Sequence, residues 1–311
     1  MEHTKQAGRD VSSRPKARVL YQAYSFLKYH AYTAYLLSCN NIFDIIVSGF
    51  LFGLINAPIA PRLSLGPSRS WSHLLKAAPG MLLWSWSNLA IFNLHNQRHG
   101  AEEDAVNKPW RPLPSKRLTP AQATWAMYCM YPVILGISWK FGGLGPCLLE
   151  AISCIHYNEW GGSSDPFLKN LLNGVGFACF LGGPLEVATG HSLLQGKAAI
   201  WMAILAASIT TMSHAQDFRD KEGDRMAGRK TVPLIIGDTN ARVLVAAGVL
   251  GGPAIACWFW QAGWSSLLAW LAGGAMSVNF FRDRSQKGDT LSWRMFPLWL
   301  LGMTLIPLGG F

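Results

Sequence analysis

Carboxylates at four-residue steps, each set followed by cations, occur twice in this sequence. The first segment holds Asn96, Gly100, Glu102, Glu103 and Asp104, then Asn107, Lys108, Arg111 and Pro112. The second holds Gln216, Asp217, Asp220, Glu222 and Asp224, then Arg225, Arg229 and Lys230. Carboxylates can hold magnesium, which prefers oxygen ligands and usually keeps waters and substrate phosphate oxygens around it. Magnesium with Arg and Lys can in turn hold a diphosphate. Asp217, Asp220 and Asp224 can share one helical face and would repel one another without cations. They fit a site that a phosphorylated substrate completes. The plain alternative is a solvated charge run, because Arg219, Lys221 and Arg225 interleave with the acids. The presence of two such segments weighs against it.

In the first segment, Arg111 lies between Trp110 and Pro112. A stiff turn there would aim the guanidinium, which suits phosphate. A third segment carries Tyr157, then Lys169 and Asn173. Lys169 reads either as a neutralising partner for a diphosphate or as a lysine that snorkels to the membrane surface. His95 and His99 have the i, i+4 spacing of zinc helices but lack the intervening Glu of a metalloprotease. His214, three residues before Asp217, could reach phosphate, orient a carboxylate, or simply be hydrogen-bonded at a helix end.

The elements that must position these residues are apolar. Half of the 311 residues are hydrophobic and only 14% are charged, against about 25% in an ordinary soluble domain. Mean hydropathy is +0.18. A spanning helix needs about 20 mostly apolar residues. Nine segments approach this, at 37–58, 79–97, 120–140, 143–160, 167–188, 194–216, 240–262, 264–281 and 294–310. The expected fold is therefore an all-α membrane protein with about nine spans. It would comprise a basic cytosolic segment over residues 1–30 and a single transmembrane domain over 31–311.

Charge supports that topology. On a nine-span reading, Arg62, Arg69, Lys76, Lys140 and Lys197 fall on one side and the rest of the 27 Lys and Arg on the other. The positive-inside rule places the richer side in the cytosol, and both acidic segments with it. Asn96, Gly100 and Asp104 align with Gln216, Asp220 and Asp224 as a weak internal repeat, and such repeats build bundles with a site between the halves.

Other classes fit less well. The net charge of +10 is spread between apolar stretches, not gathered on a soluble basic face, so nucleic-acid binding is not expected. No protein partner can be inferred. The six cysteines form no C-x-x-C pair and read as small buried hydrophobes. Residues 1–30 contain no apolar core of a cleavable signal. A transporter would carry its acids in mid-span, where Asp44 is the clearest example; here the clusters sit at span ends. Aromatic faces such as those of Trp84, Trp86, Trp125, Trp201, Trp258 and Trp260 stabilise carbocations as well as pack cores and membrane interfaces.

Together these segments resemble the UbiA superfamily of intramembrane prenyltransferases, over about residue 35 to the end. Its first motif, Asn-x-x-x-Asp-x-x-x-Asp followed by Arg-Pro, corresponds to Asn96, Gly100, Asp104, Asn107, Lys108, Arg111 and Pro112. Its second corresponds to Asp217, Asp220, Asp224 and Arg225, with Gly228, Arg229, Lys230 and Thr231 after them. Its middle segment corresponds to Tyr157, Lys169 and Asn173. The resemblance implies a nine-helix bundle around a lipid-open central cavity and a Mg2+-dependent enzyme in an intracellular membrane that ionises an allylic isoprenoid diphosphate. Asp104, Asp217, Asp220, Asp224 and Glu103 would serve the metal. Asn96, Arg111, Tyr157, Lys169, Asn173, Arg229 and Lys230 would bind substrate. Gly100 stands where the family's middle Asp is expected, with Glu102 or Glu103 as the nearest substitute. That altered motif is similar to a fungal branch of membrane-bound terpene cyclases. It implies cyclisation, with farnesyl diphosphate favoured, or else transfer of the prenyl group to an aromatic or lipid acceptor.

Overall fold

The structure is a computed structural model that describes residues 15–101, 104–105, 108–226 and 228–309. Glu102, Glu103 and Asn107 lie outside the described residues, and the expected role of Glu103 with them. Every described element is helical. The main α-helices are α1 (Pro15–Ser38), α2 (Ser48–Asn56), α3 (Trp71–His99), α4 (Pro120–Phe141), α5 (Leu144–Asn158) and α6 (Pro166–Thr189), then α7 (Gly196–Met212), α8 (Asp217–Met226), α9 (Asp238–Trp260), α10 (Leu267–Arg282), α11 (Gln286–Arg294) and α12 (Phe296–Leu305).

Local chemistry sets several of the boundaries. Helix α4 opens on a capping box: Thr119 accepts from the Gln122 backbone N–H at 3.2 Å, and Gln122 accepts from that of Thr119 at 3.0 Å. Each bond satisfies a helix-end donor that has no partner within the helix. Helix α6 opens on Asp165, whose carboxylate accepts from Phe167 N at 2.9 Å and Leu168 N at 2.8 Å, with Pro166 already holding a helical φ. It ends at Gly190, whose φ of 70° favours glycine.

All nine expected segments fall on helix. Among the described residues, five stretches are long and apolar enough to cross a membrane: Arg18–Leu63, Pro166–Thr189, Gly196–Met226, Asp238–Trp260 and Gln286–Leu308. The other four segments lie on α3, α4, α5 and α10, and two physical reasons separate α3, α5 and α10 from the five. Helices α5 and α10 have 15 and 16 residues, about 23 Å at 1.5 Å per residue, short of a ~30 Å hydrocarbon layer. Helix α3 spends its hydropathy on polar side chains turned inward, with Ser85, Ser87, Asn88 and Asn93 all buried.

The first expected span, 37–58, is not one even helix. Between α1 and α2 the chain makes a 3-10 turn at Cys39–Asn41 and a π-helical turn at Ile42–Val47. Turns of the second kind recur at functional sites, and this one brings Phe43 and Asp44 to the central cavity.

Helix α6 is the hub, packed against α2, α3, α5 and α7. From α7 the chain continues around through α9, α10 and α12, and α12 returns to α2. Small residues permit the close contacts. A Cβ at Gly49 of α2 would collide with the Phe180 carbonyl of α6, and one at Gly183 would enter the Trp84 ring. Such small-residue seams suit helices that pack by contact rather than by expulsion of water. Trp84 and Trp299 are fully buried, and each indole N–H finds a backbone acceptor, Gly143 O at 3.1 Å and Val249 O at 2.9 Å.

Candidate functional site

The second acidic segment is a helix standing on its own turn. Residues Ser213–Gln216 form a 3-10 turn after α7, and α8 begins at Asp217. Asp217 is buried and accepts from Lys169 Nζ at 2.7 Å. Lys169 lies in the first turn of α6, placed there by the Asp165 cap. Asp224, one further heptad along, is also buried. Gly228, with φ +66°, turns the chain back after α8. Arg229 N then reaches Asp224 O at 2.9 Å, and Arg229 Nη1 approaches Asp224 Oδ1 at 3.4 Å. Asp220 behaves differently: its side chain is 58% exposed, with Arg219 Nε at 3.4 Å. The three acids therefore do not present one equivalent face. Lys230 is exposed and lines neither of the two cavities described below.

The first acidic segment extends α3. Backbone bonds step along it by fours: Gly100 N to Asn96 O at 3.1 Å, Asp104 N to Gly100 O at 2.9 Å, and Lys108 N to Asp104 O at 2.8 Å. The spacing read from the sequence is thus physically a helical one. Arg111 Nη1 donates to both oxygens of Asp104, at 2.9 and 2.7 Å, and both side chains are buried. Lys108 Nζ stands 4.0 Å from Asp104. Burial, and then the nearby Arg111 charge, push the Lys108 ammonium below its ordinary pKa; Asp104 opposes them.

The histidines are held by protein. His95 Nδ1 meets Glu159 Oε1 at 2.5 Å and its Nε2 meets the Tyr131 hydroxyl at 2.8 Å, tying α3 to α4 and to the end of α5. His99 shares Glu159, at 3.0 Å. His214 is fully buried between Ala241 O, at 2.9 Å, and Asn170, at 3.3 Å. Among the described residues no three His, Cys, Asp or Glu side chains gather closely enough to hold a metal by themselves.

Two cavities meet at Asp220. The larger, ≈ 1140 Å³, has Asn96, Lys108, Arg111, Arg219, Asp220 and Arg294 at its polar end. Tyr157 and Asn173 line it as well, with Phe43, Phe92, Phe177, Phe180 and Trp293 among its apolar walls. Asn173 is seated there because Gly174 lets α6 approach α7, where a Cβ would collide with Ala206 O and Thr210. The smaller, ≈ 450 Å³, is lined by Asp220, Asp224 and Arg229 with Lys221 and Arg284. Asn96, Arg111, Tyr157, Asn173 and Asp220 are thus brought to one cavity. Asp224 and Arg229 are brought to the adjoining one. Asp104 braces Arg111, and Asp217 pairs with Lys169.

Sequence reasoning missed Arg242, which positions α8. Fully buried in α9, it donates to Asp289 at 2.6 and 3.0 Å, to Asp238 at 2.8 Å and to Phe280 O at 2.6 Å. Asp238 also accepts from Lys221 of α8 at 2.6 Å. The guanidinium stacks over Phe218 of α8, 4.3 Å from the ring centre. Glu150 of α5 was missed too. For Glu150 the available signal was a single charge inside an otherwise apolar helix; for Arg242 it was the i, i+4 step from Asp238 at the start of α9.

The sequence profile of the UbiA prenyltransferase family matches residues 54–301. The chain is 32% identical over 235 residues to fumagillin beta-trans-bergamotene synthase af520 of Aspergillus fumigatus, spanning 73% of this chain and 78% of that protein. It is 30% identical to somaliensene A/B synthase of Streptomyces somaliensis, over 70% of this chain and 75% of that one. Among solved structures it resembles digeranylgeranylglyceryl phosphate synthase, with TM-score 0.62, 18% identity and coverage of 89% and 98%. It also resembles a UbiA homolog from Archaeoglobus fulgidus bound to GPP and Mg2+, with TM-score 0.58, 14% identity and coverage of 89% and 99%. This chain belongs to the UbiA prenyltransferase family, a family of enzymes.

Proposed function

We propose that the chain ionises an allylic isoprenoid diphosphate at the junction of its two cavities. One observation carries this reading: Asn96, Lys108, Arg111, Arg219 and Asp220 line the same cavity as the rings of Phe43, Phe92, Phe177, Phe180 and Trp293. The diphosphate would lie among the cations and the prenyl chain among the rings. Arg111 and Arg229, which line the two cavities, would neutralise charge that grows on the leaving diphosphate, which is where electrostatic stabilisation lowers a barrier most; Lys169 and Lys230, which line neither, would join them only by moving their side chains. Asn96, Tyr157 and Asn173 would orient the substrate. The apolar wall would keep water from the cation, and the faces of Phe43, Phe92, Phe177 and Trp293 would favour it.

The acids fit a magnesium site that the substrate completes rather than a ready-made cage. Their oxygens are the hard donors Mg2+ prefers, and that ion commonly takes only one or two carboxylates beside phosphate oxygens. Asp220 and Asp224 face the smaller cavity, while Asp104 and Asp217 already hold Arg111 and Lys169. Asp104, Asp217, Asp220, Asp224 and Glu103 are the proposed ligands. When bound, magnesium would supply positive charge to the departing diphosphate. We read residues 31–311 as one nine-helix transmembrane domain of an intracellular membrane, with residues 1–30 and both acidic segments on the cytosolic side.

Two fates are open to the cation, and both share the ionisation step. Transfer to an aromatic or lipid acceptor is the reaction in the family's own name, and the family assignment supports it first. Cyclisation is supported by a different observation: two relatives that match 70% or more of this chain are named beta-trans-bergamotene synthase and somaliensene A/B synthase. Gly100, in place of the expected Asp, leans the same way. Membranes containing the protein are incubated with Mg2+ and farnesyl diphosphate, with and without acceptor. Diphosphate release with hydrocarbon and no acceptor supports cyclisation; release that requires an acceptor establishes transfer. No release at any chain length or with any acceptor refutes the enzyme reading.

A further inference from the structure

Besides the residues of its polar end and Asp44, the larger cavity holds one more acid. Glu150 sits in the middle of α5, only 3% exposed, and it lines the cavity. Its Oε2 is buried and has no hydrogen-bond partner among the described residues. The facing residue on α6 is Gly176, also in the cavity wall; a Cβ there would stand 3.1 Å from Oε2. The bundle thus leaves room beside this oxygen where any other residue would crowd it. Ser153, Cys154 and Tyr157 follow at i+3, i+4 and i+7 and line the same cavity, so one face of α5 lines it from Tyr157 to Glu150. Seven residues correspond to about 10 Å of helix axis.

A carboxyl buried without a partner is costly, and polar side chains kept in such places commonly serve function. We propose that Glu150 is the proton acceptor that ends the reaction in the hydrocarbon part of the cavity. This rests on the ionisation reading above and holds for either fate of the cation. An allylic cation that adds to a double bond or to an aromatic ring is still positive, and it becomes neutral by losing a proton. The diphosphate lies at the polar end and serves only carbons near it. Further down the chain, Glu150 as the carboxylate accepts the proton at Oε2 from the carbon next to the cationic centre. That C–H bond breaks, and its electron pair becomes the new C=C bond or restores the aromatic ring. The proton stays on Oε2 until the product leaves and water takes it. The carboxylate is costly alone in this wall, and the cation beside it is the counter-charge that offsets that cost.

The test compares Glu150→Gln, which keeps shape but cannot accept the proton, with Glu150→Asp, reading diphosphate release and product identity separately in detergent-purified full-length protein. For Glu150→Gln, release is expected to stay within about tenfold of the native rate. The native product should fall by about a hundredfold, replaced by water-captured alcohols or isomeric olefins, and Glu150→Asp should restore part of it. Native product at the native proportion from Glu150→Gln overturns the assignment. So does parallel loss of release and product in a variant whose melting temperature is unchanged, because that places the residue in ionisation or binding. If the native protein releases no diphosphate from any allylic substrate, the ionisation reading fails and takes this role with it.

Discussion

The two acidic segments share their spacing but not their setting. In the first, Asp104 and Arg111 are both buried, 5% and 7% exposed, and locked to each other. In the second, Asp217 is buried against Lys169 as well, but the Asp220 side chain is 58% exposed, and that of Arg229, beside the buried Asp224, is 51% exposed. A buried pair in one geometry behaves as a fixed brace, since breaking it strands a charge away from water. An exposed acid pays little to change partners. The difference teaches that one repeat can be divided between a rigid half that aims an arginine and an adaptable half that can exchange side-chain contacts for metal and phosphate.

The largest expected effect removes what both halves are proposed to share. Chelation of magnesium is expected to lower diphosphate release by at least about a thousandfold, since neutralising the leaving group is the main task asked of the site. Restoration on adding Mg2+ checks it, and full activity in excess chelator refutes the metal reading. Next, Asp224→Ala is expected to cost about a hundredfold or more in kcat while the protein stays folded in detergent. Retained turnover would remove Asp224 from the site.

Arg111→Ala separates the two segments by stability. It leaves Asp104 buried without its cation, so a stability loss of about 3 kcal/mol should accompany the loss of activity. Thermal unfolding in detergent, set beside that of Asp224→Ala, measures the contrast; equal melting temperatures for the two variants would erase it. The smallest change is expected from Gly100→Asp. Among the described residues a Cβ there meets only Asn96 O, at 3.4 Å, and Gly100 has a negative φ of −102°, so its backbone accepts a side chain. Folding should be unchanged, and the Mg2+ concentration for half-maximal release should drop by about threefold, the scale of one added ligand partly screened by water. A rise in that concentration would show that the glycine serves this site better than the acid.

Much of this was legible because it is local. Four-residue steps in both segments became helical backbone bonds, and the apolar segments became helices, since both patterns follow from the helix's own geometry. The departures are local too. Asn40, Asn41 and Asp44 break the evenness expected of an apolar span, and the chain changes its winding there. Inward-facing Ser and Asn on α3 made its hydropathy a poor guide to its length.

By itself, then, the sequence determined an all-helical apolar chain, two acid-and-cation segments at helix ends, and membership in the UbiA prenyltransferase family. Only the tertiary structure decided which acid meets which cation across the chain: Asp217 with Lys169, 48 residues away, and Asp289 with Arg242, 47 residues away. It also decided that Glu150 ends in a cavity wall opposite a glycine. Periodicity specifies the face a residue occupies on its own helix. Its partners depend on how whole helices dock, and that is set by small residues and buried rings scattered across the chain rather than by any single motif.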